Sequence, residues 1–160
     1  TPRPTATPEG MVAHSLALIA LGQPTTLEEA ERLVGFTPGL PAALGQPDEV
    51  HHHRNVDLPA LTLVWRPAGG PPLSLTAIGV AEFGRKFIAD AAVSEVTVGD
   101  ATGYWLEGPH HLQLLGFWED PRPILIASNV LIWVQDGITY RLEGDLTRDE
   151  ALAIAQSLAR

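Results

Sequence analysis

Residues 129–144 read NVLIWVQDGITYRLEG, two runs rich in β-branched and aromatic residues separated by Asp136-Gly137. Asp-Gly between alternating apolar residues is a strong hairpin signal, because both central residues of the turn must accept positive φ. A two-residue loop pairs Gln135 with Ile138, Val134 with Thr139, Trp133 with Tyr140, Ile132 with Arg141 and Leu131 with Leu142. Side chains alternate along a strand, so this register puts Leu131, Trp133, Ile138, Tyr140 and Leu142 on one face. Val130, Ile132, Val134, Thr139, Arg141 and Glu143 fall on the other. The first face is the predicted core face.

The hairpin is followed by Gly144-Asp145 and then by Thr147-Arg148-Asp149-Glu150, the Ser/Thr-x-x-Glu pattern of a capping box at a helix start. Ala151, Leu152, Ile154, Ala155, Leu158 and Ala159 recur at helical spacing beyond it. Hairpin and helix form one packing unit.

Before the hairpin, strand signals dominate. Residues 49–56, 60–66, 73–80, 85–89, 93–98, 104–107 and 111–115 read as strands separated by short turns, too short for the crossovers that parallel pairing requires. The expected result is one large, curved antiparallel sheet. Near the N-terminus, Thr26-Leu27-Glu28-Glu29 predicts a second capping box, opening a short helix lined by Leu27, Ala30, Leu33 and Val34 and ended by Gly35. Residues 36–47 (FTPGLPAALGQP) are too rich in Pro and Gly for regular structure, but Phe36, Leu40 and Leu44 can anchor them as a packed loop. Residues 12–21 are apolar and short, and read as a strand. The fold class is therefore α+β: a curved antiparallel sheet with a short N-terminal helix and a C-terminal helix packed on it.

The chain has 160 residues and 45% hydrophobic side chains, with four Trp, which suits one domain with a real core. Residues 1–10 (TPRPTATPEG) hold nothing apolar to bury and read as a Pro/Thr-rich linker, leaving residues 11–160 as the single domain. The net charge of −9 and the scattered basic residues argue against nucleic acid as a partner. There is no Cys, which removes disulfides, thiolate metal sites and Cys nucleophiles. No apolar run reaches the length of a membrane-spanning helix. The first residue is Thr, so the expectation is a piece of a longer protein whose anchor, if it has one, lies upstream.

Six histidines are the conspicuous chemistry. His51 and His53 share a face of a strand, and His110 and His111 lie at a later turn, so the four form a candidate zinc site if neighbouring strands bring them together. Solvated His on an edge strand is the commoner outcome of such a run. No H-E-x-x-H motif, Ser elbow or phosphate-cradling Gly loop occurs, and the carboxylates fall at turns and helix starts, so neither an enzyme nor a bound cofactor is expected. Among the aromatic residues, Trp65, Trp133 and Tyr140 read as core. Tyr104, Trp105 and Trp118, the last in the loop-like GFWEDPRP, are the candidate surface for a protein partner or a small apolar ligand.

Three segments, LGQPTTLEEAERLVGFTPGLPAALGQPDEV (21–50), VTVGDATGYWLEGPHHL (96–112) and NVLIWVQDGITYRLEGDLTRDEALAIAQSL (129–158), together resemble a family of uncharacterised extracytoplasmic bacterial domains. These occur in anti-sigma-factor-like proteins, lipoproteins and other single-pass membrane proteins. The shared motifs are structural: a Gly-Tyr-Trp strand, a Leu-Ile-Trp hairpin and a capped Ala-rich helix. The resemblance implies a non-catalytic sensor or binding domain outside a membrane, attached through an anchor absent from these residues. It carries no catalytic residues with it, and the His triplet is not part of the pattern. A lipid or lipoprotein carrier with an apolar cavity is the alternative from another class, and a His-mediated metal-binding domain is a further one.

Overall fold

The computed structural model describes residues 11–13, 22–53, 59–79, 92–112, 124–126 and 128–158. Its elements in chain order are β1 (Met11–Ala13), β2 (Gln23–Thr25), α1 (Leu27–Val34), β3 (Glu49–His52), β4 (Ala60–Trp65), β5 (Leu73–Ile78), β6 (Ala92–Val98), β7 (Ala101–Glu107), β8 (His110–Leu112), β9 (Ile124–Ile126), β10 (Asn129–Gln135), β11 (Ile138–Gly144) and α2 (Arg148–Gln156). Eight strands form an open sheet in the order β2-β3-β4-β5-β11-β10-β7-β6. Every neighbouring pair in it is antiparallel.

The β10–β11 hairpin has the register its turn dictates, from Gln135↔Ile138 to Asn129↔Gly144, with Trp133 opposite Tyr140. Asp136 (φ 52°) and Gly137 (φ 77°) both take positive φ, as a two-residue turn matched to strand twist requires. The hairpin sits inside the sheet, with β11 beside β5 and β10 beside β7. The sheet is therefore two meanders joined through it, because β6 follows β5 in sequence yet lies at the far edge.

Both helices cover one face of this sheet. Leu61, Leu63, Trp65, Leu75, Ala77, Val96, Val98, Trp105, Leu131, Trp133, Tyr140 and Leu142 bury themselves there against Ala30 and Val34 of α1 and Ala151, Ile154 and Ala155 of α2. α2 opens with the complete capping box: Glu150 N–H donates to the Thr147 hydroxyl at 3.2 Å and Thr147 N–H donates to the Glu150 carboxylate at 2.8 Å. At α1 only half of the box forms. Thr26 accepts from Glu29 N–H, but the Glu29 carboxylate turns to Arg32, with contacts of 2.8 and 2.6 Å, instead of reaching back to the cap. Leu33 is also not on the buried side; it is 41% exposed, while Leu27, Ala30 and Val34, spaced three and four apart, make the inward stripe.

The loop over residues 36–47 is packed, with Phe36, Leu40 and Leu44 against the core. It is pinned by Gly39 N–H donating to the Tyr140 hydroxyl (3.0 Å), Trp65 Nε1–H donating to Gly45 C=O (3.2 Å), and a bridge between Pro41 and Leu158.

The sheet expected to be single is accompanied by a second, three-stranded one in the order β1-β9-β8, whose β1–β9 pair is parallel. The described part of the strand expected at 111–115 lies there in β8, next to β9, and residues 113–115 lie outside the described residues. β1 and β9 are distant in sequence, so no turn forces them antiparallel. The strand expected at 49–56 ends at His52, and the one expected at 85–89 lies outside the described residues.

Candidate functional site: the polar face of the sheet

The face of the eight-stranded sheet turned away from the helices is buried too, and it is polar at its middle. Alternation along each strand directs His51, Thr62, Ser74, Thr76, Thr139, Arg141 and Glu143 to this side, and all are at most 5% exposed. The ladder aligns them in rows. His51 is opposite Thr62, Thr62 opposite Thr76, and Thr76 opposite Arg141; one step along, Ser74 is opposite Glu143. Ala60, Val64, Ile78, Leu106, Val130 and Ile132 flank the rows with apolar surface.

Buried polar groups must be satisfied, and most of these are. At β3 the Glu49 carboxylate accepts from Arg66 Nε at 2.5 Å and from His51 Nε2 at 2.9 Å. Arg66 first and His51 second hold the Glu49 carboxyl far down, at about 2. An ionised Glu49 only accepts, so His51 donates to it from Nε2. His53 Nε2 lies 2.8 Å from the Thr62 hydroxyl, which lies 2.9 Å from the Thr76 hydroxyl. Burial, more than its His neighbours, pushes the His53 imidazole down to about 4, so it is neutral at pH 7. Arg141 Nε donates to the Glu143 carboxylate, and both side chains are buried. His51 Nδ1 and Ser74 Oγ are buried with no hydrogen-bond partner among the described residues.

The four candidate zinc ligands do not share a sheet. His51 belongs to β3 of the eight-stranded sheet, with His53 just beyond its end, whereas His110 and His111 belong to β8 of the three-stranded one. Among the described residues no three His, Cys, Asp or Glu side chains are grouped to hold a metal ion. His51 and His53 are buried and make hydrogen bonds there, so they are not the solvated edge that is the commoner outcome of such a run.

The aromatic residues divide in the same way. Trp105 and Tyr104 are consecutive on β7 and therefore face opposite sides. Trp105 is buried under α2's side of the sheet, its Nε1–H without a partner among the described residues, while Tyr104 is half-buried on the polar side. Trp118 lies outside the described residues. Trp65, Trp133 and Tyr140 are core, as their spacing predicts.

The polar rows escape strand-by-strand reading. Thr62, Ser74, Thr76 and Thr139 look like ordinary solvent-side residues of half-buried strands, and Arg141-x-Glu143 looks like an exposed pair. Only the alignment of β4, β5 and β11 brings them together.

A family model described as a domain of unknown function (DUF4367) matches residues 88–158, which span β6 to α2. Over that stretch the chain is similar to an uncharacterised domain. No curated protein and no solved structure matches the chain. The matched stretch contains the central hairpin, its β6–β7 neighbour and the capped helix. β2 to β5, which carry the His side of the polar rows, lie before it. Among the described residues no helix is long and apolar enough to cross a membrane.

Proposed function

We propose that this chain is a non-catalytic binding domain on the outer side of a membrane, serving as the sensor portion of a membrane-anchored regulatory protein of the anti-sigma-factor-like kind or of an envelope protein. The observation that carries the reading is that, among the described residues, large side chains occupy the space between sheet and helices. Trp65, Trp105, Trp133, Tyr140 and the leucines of β4, β5, β10 and β11 occupy the space between sheet and helices, where a carrier would need room for acyl chains. A core occupied in this way leaves recognition to edges and surfaces, which is how a protein-binding sensor works. Such a sensor shifts between conformations only by as much as a partner's affinity differs between them. The similarity to a domain of unknown function over residues 88–158 and the acidic surface, which disfavours anionic lipid and nucleic acid, support it.

The location is testable because these 160 residues hold no Cys. The full-length gene product carrying an exposed Thr102→Cys, expressed in its own cells, should gain reaction with a membrane-impermeant maleimide in spheroplasts before lysis, over and above the parent that keeps Thr102. Labelling that appears only after lysis would place the domain inside and end the proposal. Saturable uptake of a fluorescent fatty acid by the isolated domain would instead favour the carrier.

A further inference from the structure

The two edges of the eight-stranded sheet are built differently. β2 is three residues long and contains Pro24, which has no N–H to offer, so that edge is blunted in the way proteins avoid unwanted pairing. β6 is seven residues long, reads AVSEVTV, and has neither Pro, Gly nor Lys. It pairs along its whole length with β7 on one side and with no strand among the described residues on the other. Val96 and Val98 anchor it in the core, while Val93 (40% exposed), Ser94, Glu95 and Thr97 are open to solvent. Long, β-branched and unprotected edges are uncommon unless something pairs with them.

We propose that β6 is a strand-addition site for an extended, basic segment of another protein. Main-chain hydrogen bonds to the outer edge of β6 would supply affinity, and alternate side chains would supply specificity. The charge argues for the partner's chemistry. Residues 92–107, the β6–β7 hairpin, contain Glu95, Asp100 and Glu107, all exposed, and no basic residue. A second copy of the chain would bring acid against acid, on top of a net charge of −9 for each copy. A partner strand with apolar residues beside Val96 and Val98, and Lys or Arg on the side of Glu95, complements both faces. This inference rests on the reading of the chain as a binding domain and is independent of its location.

The test uses an acetylated and amidated seven-residue peptide alternating Val and Lys, titrated into the labelled chain and followed by amide NMR. Shifts should concentrate in β6. Of two versions N-methylated on alternate residues, one per edge of the peptide, one should bind like the parent and the other at least about tenfold more weakly, because it loses several main-chain bonds of roughly 1 kcal/mol each. Glu95→Lys should weaken binding while leaving the dispersion of the spectrum, and hence the fold, intact. Equal binding by both methylated peptides or by a scrambled one, shifts away from β6, no binding at all, or peptide-independent dimerisation in sedimentation would each overturn the proposal. The maleimide result would stand in every one of those cases.

Discussion

Trp133 on β10 and Tyr140 on β11 face each other across the central hairpin with ring centroids 5.2 Å apart and planes 18° from parallel. The pair joins three parts of the molecule. Trp133 is 1% exposed against the core, Gly103 of β7 lies opposite it with a backbone so close that a Cβ there would sit 3.3 Å from the Trp133 Cβ, and the Tyr140 hydroxyl holds the loop over residues 36–47. A stacked cross-strand pair is worth about 0.5–1.5 kcal/mol beyond the area it buries.

Trp133→Ala should therefore destabilise the fold by about 3–5 kcal/mol, the range for removing a large aromatic from a core. For a domain of this size that is a drop in melting temperature on the order of 10 °C. A variant melting within a degree or two of the parent would mean that the helix-covered face is not the core.

Tyr140→Phe keeps the stack and removes the acceptor for Gly39 N–H, costing about 1 kcal/mol. Hydrogen exchange should quicken at Gly39 and nearby amides, with the strands unaffected. Burial, the leading cause, raises the Tyr140 phenol above its ordinary value near 10. A raised folded value means that stability is intact below pH 10 and is lost as pH rises beyond it, since the unfolded chain then binds fewer protons. Alkaline denaturation curves of parent and variant should converge there; parallel curves would disprove the role of the phenol.

Arg141 and Glu143 are the buried charges nearest the centre of the sheet. Removing one partner takes a charged contact from the other in a buried place, so Arg141→Met or Glu143→Gln alone should cost up to about 3–5 kcal/mol, while Arg141→Met/Glu143→Leu should recover part of the loss. A double-mutant cycle in urea measures it. Additive single effects would show that the two charges are satisfied independently.

Acid should weaken the protein in two successive, slightly overlapping windows. Glu49 is depressed to about 2 by Arg66 and His51, and His53 to about 4 by burial. In both cases the unfolded chain binds the proton first, so stability is lost as pH falls, between about 6.5 and 4 for His53 and between about 4.5 and 2 for Glu49. His53→Gln should flatten the upper window and Arg66→Ala the lower one, where solvent screening at the partly exposed Glu49 keeps the effect small. If the melting temperature of the parent were level from pH 7 to pH 4, His53 would not be buried as described.

The hairpin, its register, its core face and the capped α2 were legible in residues 129–158, because turn chemistry and capping act over a few residues and the period of side-chain alternation leaves one choice of inner face. Leu33 and Glu29 show where local reading stopped: a helix of eight residues has room for only one inward stripe, and a carboxylate beside Arg32 has a better partner than the cap. The second face of the sheet was beyond it altogether. Thr62, Thr76, Arg141 and Glu143 carry the alternation of solvent-facing residues, and nothing within any one strand reveals that they are covered or that they align. Nor does any short motif place His51 and His110 in different sheets, since pairing between distant strands is selected by packing of the whole chain and not by the residues that link them. The sequence by itself determined the central hairpin with its inner face, both helices and most strands of the large sheet; β2, β9 and the order of the strands, and with it the buried polar rows and the unblunted edge at β6, were decided only when those elements had to share one core.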